Sequence, residues 1–263
     1  MKSICLMFHD IYHLEPLSTI PRSASMYHIS EEDFIRHLKI IKTSGLNVLT
    51  ASDFNNFQNN SIIITFDDGW KGSYEIALPI LKEFEFKATF FVTKDFIGQK
   101  GFCNKELILR ASKSGMEIGV HGTSHRMLSN LSKEEIKLEF AICKDFLEDL
   151  LDEQVESASL PGGFWNKVIA TCAKETGLKK LFTSSPGINR ANHSMLNLKR
   201  IGIRENTNIT DIKRFCDFNI KKELLRDKVF QFPRRMLGMK RYSLLRRYLL
   251  GEKSEAINKV FEP

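Results

Sequence analysis

Cysteine pairs, long apolar runs and low-complexity tracts are all missing from this chain. Its five cysteines, Cys5, Cys103, Cys143, Cys172 and Cys216, are scattered and odd in number, with no CxxC among them. That usage excludes a disulfide framework and predicts reduced, mostly buried thiols. No stretch approaches the roughly 20 apolar residues that span a bilayer. The N-terminal run Ile4-Cys5-Leu6-Met7-Phe8 is too short for a signal-peptide core, and no small-residue cleavage site follows it. A cytoplasmic protein is the expectation. Proline is sparse at seven residues and no internal repeat is visible, so the composition is globular.

What is present suffices for a sizeable core. At 263 residues, 42% of them hydrophobic, the chain fits one domain of barrel size, with or without an appendage. Twenty phenylalanines predict aromatic core packing. The net charge of +7 is lopsided: residues 210–263 hold fourteen Lys/Arg against seven Asp/Glu, which accounts for all of it. The basicity belongs to the tail, and nucleic acid is not an expected partner.

Up to about residue 205, short apolar runs alternate with helical patterns. Strands are predicted at Ile4–Phe8, Asn47–Thr50, Ile62–Phe66, Ala88–Thr93, Met116–Val120, Val155–Leu160 and Lys180–Ser184. Between them, Ser30 reads as an N-cap with Glu31, Glu32 and Asp33 in the first turn, and Gly45 ends that helix. Further helices are expected over Ser52–Phe57, Tyr74–Phe84, Asn104–Ser114 and Asn166–Glu175, and one opened by a Ser132/Glu135 capping box runs to about Leu151. Repeated strand–helix units argue for a parallel sheet, barrel-like or doubly wound. In such sheets functional loops leave the C-terminal strand ends. His9, Asp67, Asp68, His121, His125 and Pro161-Gly162-Gly163 all fall there.

Phe66-Asp67-Asp68-Gly69 is the sharpest element. Adjacent carboxylates repel, so a strand end that accepts both supplies a cation or protonates one. His121 and His125 are four apart and would share a face if the backbone between them turned helically. Three of these four groups can hold a divalent cation while the fourth serves as a base on water, a pattern that points to metal-assisted hydrolysis. Pro161-Gly162-Gly163-Phe164-Trp165 offers exposed backbone N–H groups for an oxyanion, with Phe164 or Trp165 as a stacking face for a sugar ring; taken alone it is a strand-to-helix turn capped by Asn166. His9 could protonate a leaving amine, with Asp10 orienting it or capping the loop. His28, His37 and His193 read as surface residues.

On these residues the sequence resembles the polysaccharide deacetylase family, with its NodB-homology or carbohydrate esterase 4 domain. The resemblance covers about residues 4–205 and rests on Thr65-Phe66-Asp67-Asp68-Gly69, the segment from Glu117 to His125, and Leu160-Pro161-Gly162-Gly163. It implies an α/β fold, a distorted (β/α) barrel that would occupy 1–208, and removal of an N- or O-acetyl group from a sugar; beyond that range the strand pattern stops, and 209–263 reads as a basic helical extension. The resemblance also implies Asp67 as general base, Asp68, His121 and His125 as ligands to a divalent metal, commonly zinc, and the Gly162 N–H as part of the oxyanion hole. Gly122 stands where the family usually has Ser or Thr, and Ser159 stands where it has the arginine that steadies the base; Arg200 is the candidate substitute. The family's Asp-x-x-Asp-Trp segment and late Leu-x-x-His strand are absent. A subset of the family carries its catalytic histidine on the first strand instead, and Phe8-His9 is similar to that arrangement.

The tail carries Arg234, Arg235, Lys240, Arg241, Arg246 and Arg247 among Phe230, Phe232, Met236, Leu237, Leu244 and Leu245, with no acid between Lys228 and Glu252. A basic amphipathic helix there would lie on an anionic membrane surface or pack on the barrel. The first option suggests an enzyme at the inner face of the membrane acting on a lipid-linked glycan precursor. Two other functions fit the same residues: a hydrolase of non-sugar amides or cyclic ureides, and a glycan-binding protein weakened in catalysis by Ser159.

Overall fold

The computed structural model describes residues 1–14, 25–55 and 58–229. Strand β1 (Lys2–Phe8) is buried from Ser3 to Phe8, as its uninterrupted apolar sequence requires. A small two-stranded parallel sheet follows, from β2 (Asp10–Tyr12) and β3 (His28–Ser30), too short for any periodicity to announce it. Helix α1 (Glu31–Thr43) starts where Ser30 Oγ accepts the Asp33 N–H and stops before Gly45, whose φ is +70°. Strand β4 (Asn47–Leu49), a short 3₁₀ turn at Ser52–Asn55 and β5 (Ser61–Phe66) come next. The rest of the helix expected to run to Phe57 lies outside the described residues.

After β5 the chain enters a π-helical turn (Ser73–Ala77) that runs into α2 (Leu78–Glu83), then β6 (Thr89–Val92), α3 (Lys105–Lys113) and β7 (Glu117–Val120). The Ser132/Glu135 capping box opens α4 (Lys133–Leu151), and β8 (Ser157–Ser159), α5 (Lys167–Glu175) and β9 (Lys180–Phe182) follow. Two-residue strands β10 (Asn189–Arg190) and β11 (Ile201–Gly202) precede α6 (Ile209–Cys216).

The strands from β1 through β5, β6, β7 and β8 to β9 lie side by side and parallel, with β4 also on β5 and β10 antiparallel on β1. The sheet then curls back toward itself. Leu198 bridges to Phe182 of β9, while β11 three residues later pairs with β1 and the Ile203 N–H reaches the Met7 carbonyl (2.9 Å). One short segment, 198–203, thus bonds both ends of the sheet, giving the distorted barrel.

Strand parity sorts side chains between two cores. Ile4, Leu6, Phe8, Ile62, Ile64 and Phe66 point outward into the helices, where Phe66 stacks on Phe90 (4.8 Å, 11°) and lies 5.5 Å from Phe8. Cys5, Ile63, Phe91, Phe182 and Leu198 fill the barrel interior. All five cysteines are buried and unpaired.

Two of the three histidines expected at the surface are interior. His37 is 1% exposed and bonds the Thr207 carbonyl through Nε2 (3.0 Å). His28 is 2% exposed and meets Asp10 Oδ2 through Nδ1 (3.0 Å). Each is polar yet lies on the inward face of its element, where one of its two ring nitrogens finds a hydrogen-bond partner.

Of the expected extension, α6 packs against α1, and Arg214 binds both Asp211 (2.6 Å) and Glu223 (2.9 Å). The basic run from Arg234 to Arg247 lies outside the described residues. No helix among the described residues is long and apolar enough to cross a membrane.

Candidate active site

The C-terminal strand ends converge on two adjacent carboxylates. Asp67 continues the β5 parity, with Ile63 and Thr65, into the barrel interior, and its N–H extends the ladder to the Phe8 carbonyl (3.0 Å). Asp68 would by that parity face the helices. Instead its φ of +75°, with +88° at Gly69, turns the side chain onto the rim. A non-glycine residue pays strain for that conformation, a cost that concentrates at functional sites.

On the rim Asp68 meets both histidines. Its Oδ1 lies 3.0 Å from His121 Nε2 and 3.1 Å from His125 Nε2, and the ligand atoms of the three residues all lie within 4.8 Å of one another. The two histidines come together by a route other than the expected helical turn. Gly122 (φ +84°) and His125 (φ +58°) are both left-handed, and the intervening backbone is a loop. Its clamp is Glu139 of α4, a 4% exposed acid on the helix face that also carries Ile136, Phe140 and Cys143. Glu139 accepts the N–H groups of Thr123 (2.8 Å) and Ser124 (2.9 Å) and the Ser124 hydroxyl.

The donor set suits a divalent cation. His121 Nδ1 faces the Ser159 carbonyl (3.1 Å), which fixes the proton there and leaves the Nε2 lone pair toward the cluster. Asp68 Oδ2 accepts the Trp70 indole N–H (3.0 Å), so Oδ1 alone is turned to the histidines. Trp70 in turn packs edge-on with His28 (4.6 Å, 76°), whose partner is Asp10. Burial opposes charge on Asp68, but His125 and the hydrogen bonds from both imidazoles hold its carboxyl well below the usual range. Burial would lower His125 as well, yet Asp68 outweighs it and raises that pKa.

Asp67 has a different partner set. Arg200, 0% exposed, grips it in a two-pronged pair, Nη1 to Oδ1 and Nη2 to Oδ2, both 2.7 Å. The same guanidinium donates to Thr65 Oγ1 (3.2 Å), the Thr183 carbonyl (2.9 Å) and Ser159 Oγ (2.6 Å), and the Ser159 hydroxyl donates to Asp67 Oδ2 (2.8 Å). Ser159 therefore supplies a hydrogen bond and leaves room for an arginine arriving from the closing segment. Burial would raise the Asp67 pKa; Arg200, with His121 and His9, keeps it below its ordinary value.

His9 stands at the end of β1, near enough to Asp67 and Asp68 to feel both charges. Burial outweighs their pull and lowers its pKa. Its ring lies against Tyr27 (4.6 Å), and its buried Nδ1 has no partner among the described residues. Asp10 does not orient it, being committed to His28.

Pro161 sits beside the histidine loop: a Cβ on Gly122 would lie 3.6 Å from Pro161 Cγ. Gly162 is left-handed (φ +68°), and its N–H makes no backbone hydrogen bond among the described residues, while that of Gly163 goes to the Leu160 carbonyl (2.7 Å). Gly163 tolerates no side chain, since a Cβ would stand 2.1 Å from Ser184 Oγ. Trp165 is 37% exposed and spends its N–H on the Leu196 carbonyl (2.6 Å); Phe164 is half-buried beside it.

A curled parallel barrel with two histidines and two separately anchored carboxylates on its C-terminal rim is the framework of a hydrolase. Residues 54–181 match the sequence profile of the polysaccharide deacetylase family. The chain is 26% identical over 205 residues to YxkH of Bacillus subtilis (strain 168), whose name places it among polysaccharide deacetylases; the match covers 75% of this chain and 70% of that one. It is 27% identical over 217 residues to the poly-beta-1,6-N-acetyl-D-glucosamine N-deacetylase of Staphylococcus aureus (strain COL), covering 75% and 74%. The structure superposes on the Streptococcus pyogenes deacetylase PplD, solved with acetate, with a TM-score of 0.72 and 25% identity over 81% of this chain and 96% of that one. These comparisons support a place for the chain in the polysaccharide deacetylase family and, with it, the hydrolytic deacetylation of a sugar as its reaction class.

Proposed function

We propose that this chain is a metal-dependent deacetylase that hydrolyses the N-acetyl group of a sugar within a glycan or glycolipid. The observation that carries the reading is the division of labour between neighbours: Asp68 shares one oxygen with His121 and His125, while Asp67 is turned away and held by Arg200.

Asp68, His121 and His125 would hold the cation, and two imidazoles with one carboxylate suit zinc, with room left in its coordination shell. Such an ion supplies Lewis acidity toward the acetyl carbonyl and lowers the pKa of water. Asp67 accepts the proton of the attacking water through an oxygen that Arg200 and Ser159 keep in place. The Gly162 N–H donates to the oxygen on which charge develops. His9 delivers the proton to the departing amine; a lowered pKa makes its imidazolium a strong donor. Phe164 and Trp165 flank the oxyanion loop as the sugar-facing aromatics.

Ser159 no longer supports a weakened glycan-binding protein, because Arg200 supplies the contact that a serine there would otherwise leave missing. The test is acetate release from N-acetylglucosamine oligomers with and without chelator. Chelator-sensitive release is expected; release that survives complete metal removal would overturn the metal-dependent reading.

A further inference from the structure

Next to His9 the rim carries a cationic group that the chemistry above does not use. Strand β11 runs parallel to β1 with Met7 opposite Gly202, so continuing the register by two residues sets Arg204 level with His9 at the same end of the barrel. Tyr27 touches both. Its ring is 4.6 Å from the His9 ring and 5.3 Å from the Arg204 guanidinium carbon.

Arg204 is underused. It donates from Nη2 to the Tyr27 hydroxyl (3.3 Å), its Nε is buried with no acceptor, and among the described residues no carboxylate pairs with it. A guanidinium has five N–H donors in a planar fork suited to carboxylate and phosphate. Arg226, on the helix over 221–229, also has no ion-pair partner among the described residues. Partial burial and the nearby charge of Arg204 both lower its pKa. The acids that act on Arg226, Glu223 and Asp211, are both paired with Arg214, so an incoming anion would relieve the repulsion between the two guanidinium groups.

We propose that Arg204, anchored on Tyr27, is an anion subsite beside the candidate acid, so that the preferred sugar substrate carries a phosphate or a carboxylate close to the acetamido group to be cleaved. The inference rests on the deacetylase reading and adds the chemical class of its substrate. Either a phosphorylated sugar, as at the head of a lipid-linked glycan, or a uronic acid in an acidic polysaccharide would provide the anion.

The experiment compares kcat/KM for acetate release from three substrates with added zinc. These are an N-acetylglucosamine trisaccharide, the same trisaccharide with a reducing-end phosphate, and an oligosaccharide alternating N-acetylglucosamine with glucuronic acid. At least one charged substrate should exceed the neutral one by about tenfold, and the excess should shrink as salt rises. Arg204→Gln should abolish that excess through KM, and Arg204→Lys should keep part of it. Which charged substrate gains identifies the source of the anion. Equal turnover of all three by the unmodified chain overturns the subsite, and that comparison depends on no variant folding. Arg204→Gln lowering all three by one factor overturns it too. No acetate from any of them overturns the deacetylase reading itself.

Discussion

Asp67 and Asp68 are adjacent in the chain, yet the site treats them as opposites. Asp67 faces the interior and is neutralised by a fixed cation of the chain itself: Arg200 contacts both of its oxygens. Asp68 faces the rim and has no such partner; its neighbours are two imidazoles and an indole N–H. The first half is complete as built, while the second gathers ligand atoms around a point that a cation can occupy. The single left-handed residue at Asp68 is what separates them. Two identical side chains can therefore divide a reaction, provided the backbone sends them to different dielectric surroundings.

Asparagine at each position gives the largest effect and the most direct way to break that division. Asp67→Asn should lower acetate release by about 10²–10⁴-fold, the range for losing a positioned proton acceptor, and Asp68→Asn should also lower it, by removing a ligand to the cation. Metal content after dialysis should separate them: retained in Asp67→Asn, lost in Asp68→Asn. Loss of metal from Asp67→Asn would mean that both carboxylates are ligands.

Arg200→Met attacks the interior half through stability. It leaves Asp67 buried without its cation, for which about 3–5 kcal/mol is the expected loss in urea unfolding. The double variant with Asp67→Asn should recover much of that loss, because the stranded charge is gone. A single-variant loss below about 1 kcal/mol would show that water reaches Asp67 and that the half is less closed than its burial implies.

How far this contrast was legible in the sequence follows from the range of each signal. The apolar strand before Asp67-Asp68, the capping box at Ser132 and the strand-end positions of His121 and Pro161 are local patterns, and the structure keeps them. Arg200 lies 133 residues from Asp67, so their pairing depends on a closing segment whose only named strand is two residues long. Ser159 read alone suggested a missing contact, where the fold shows an exchange of one arginine position for another. Trp70 stood immediately after the acidic turn and could have been suspected as a partner of Asp68. Glu139 could have been flagged as an acid inside an apolar helical stripe. His28 gave no signal, because its burial depends on the β2–β3 pair.

Trp70→Phe sharpens the rim half at a smaller scale. It keeps the packing with His28 and Phe102 but removes the N–H that occupies Asp68 Oδ2. With that oxygen released, metal affinity should fall by about 10–100-fold in a competition titration, as losses of outer hydrogen bonds do. Ser159→Ala is the matching change on the other half. It removes a hydrogen bond to Asp67 while keeping the backbone carbonyl that faces His121, so metal affinity should hold. If the two variants bind metal alike, the halves are not separable.

The smallest effect concerns a buried titratable group that has neither a fixed countercharge nor a cation site. Among the described residues His37 makes one side-chain hydrogen bond, to the Thr207 carbonyl, and its buried Nδ1 has no partner. Burial lowers its pKa from 6.5, and the Thr207 carbonyl, Asp33 and Asp211 only partly oppose the shift. The unfolded chain thus takes up this proton at a higher pH than the fold does. The His37 contribution to stability is fully present above 6.5 and is lost as pH falls through the lower folded value. Asp67, held ionised by Arg200, gives up its contribution only in stronger acid, below 3.8. Between about pH 7.5 and about pH 5.5, urea stability of the unmodified chain should therefore drop more than that of His37→Gln, which cannot titrate. Equal drops would assign the acid sensitivity to other groups. They would also show that a lone buried imidazole is here tolerated in its charged form, which would weaken the case that Asp67 needs its arginine.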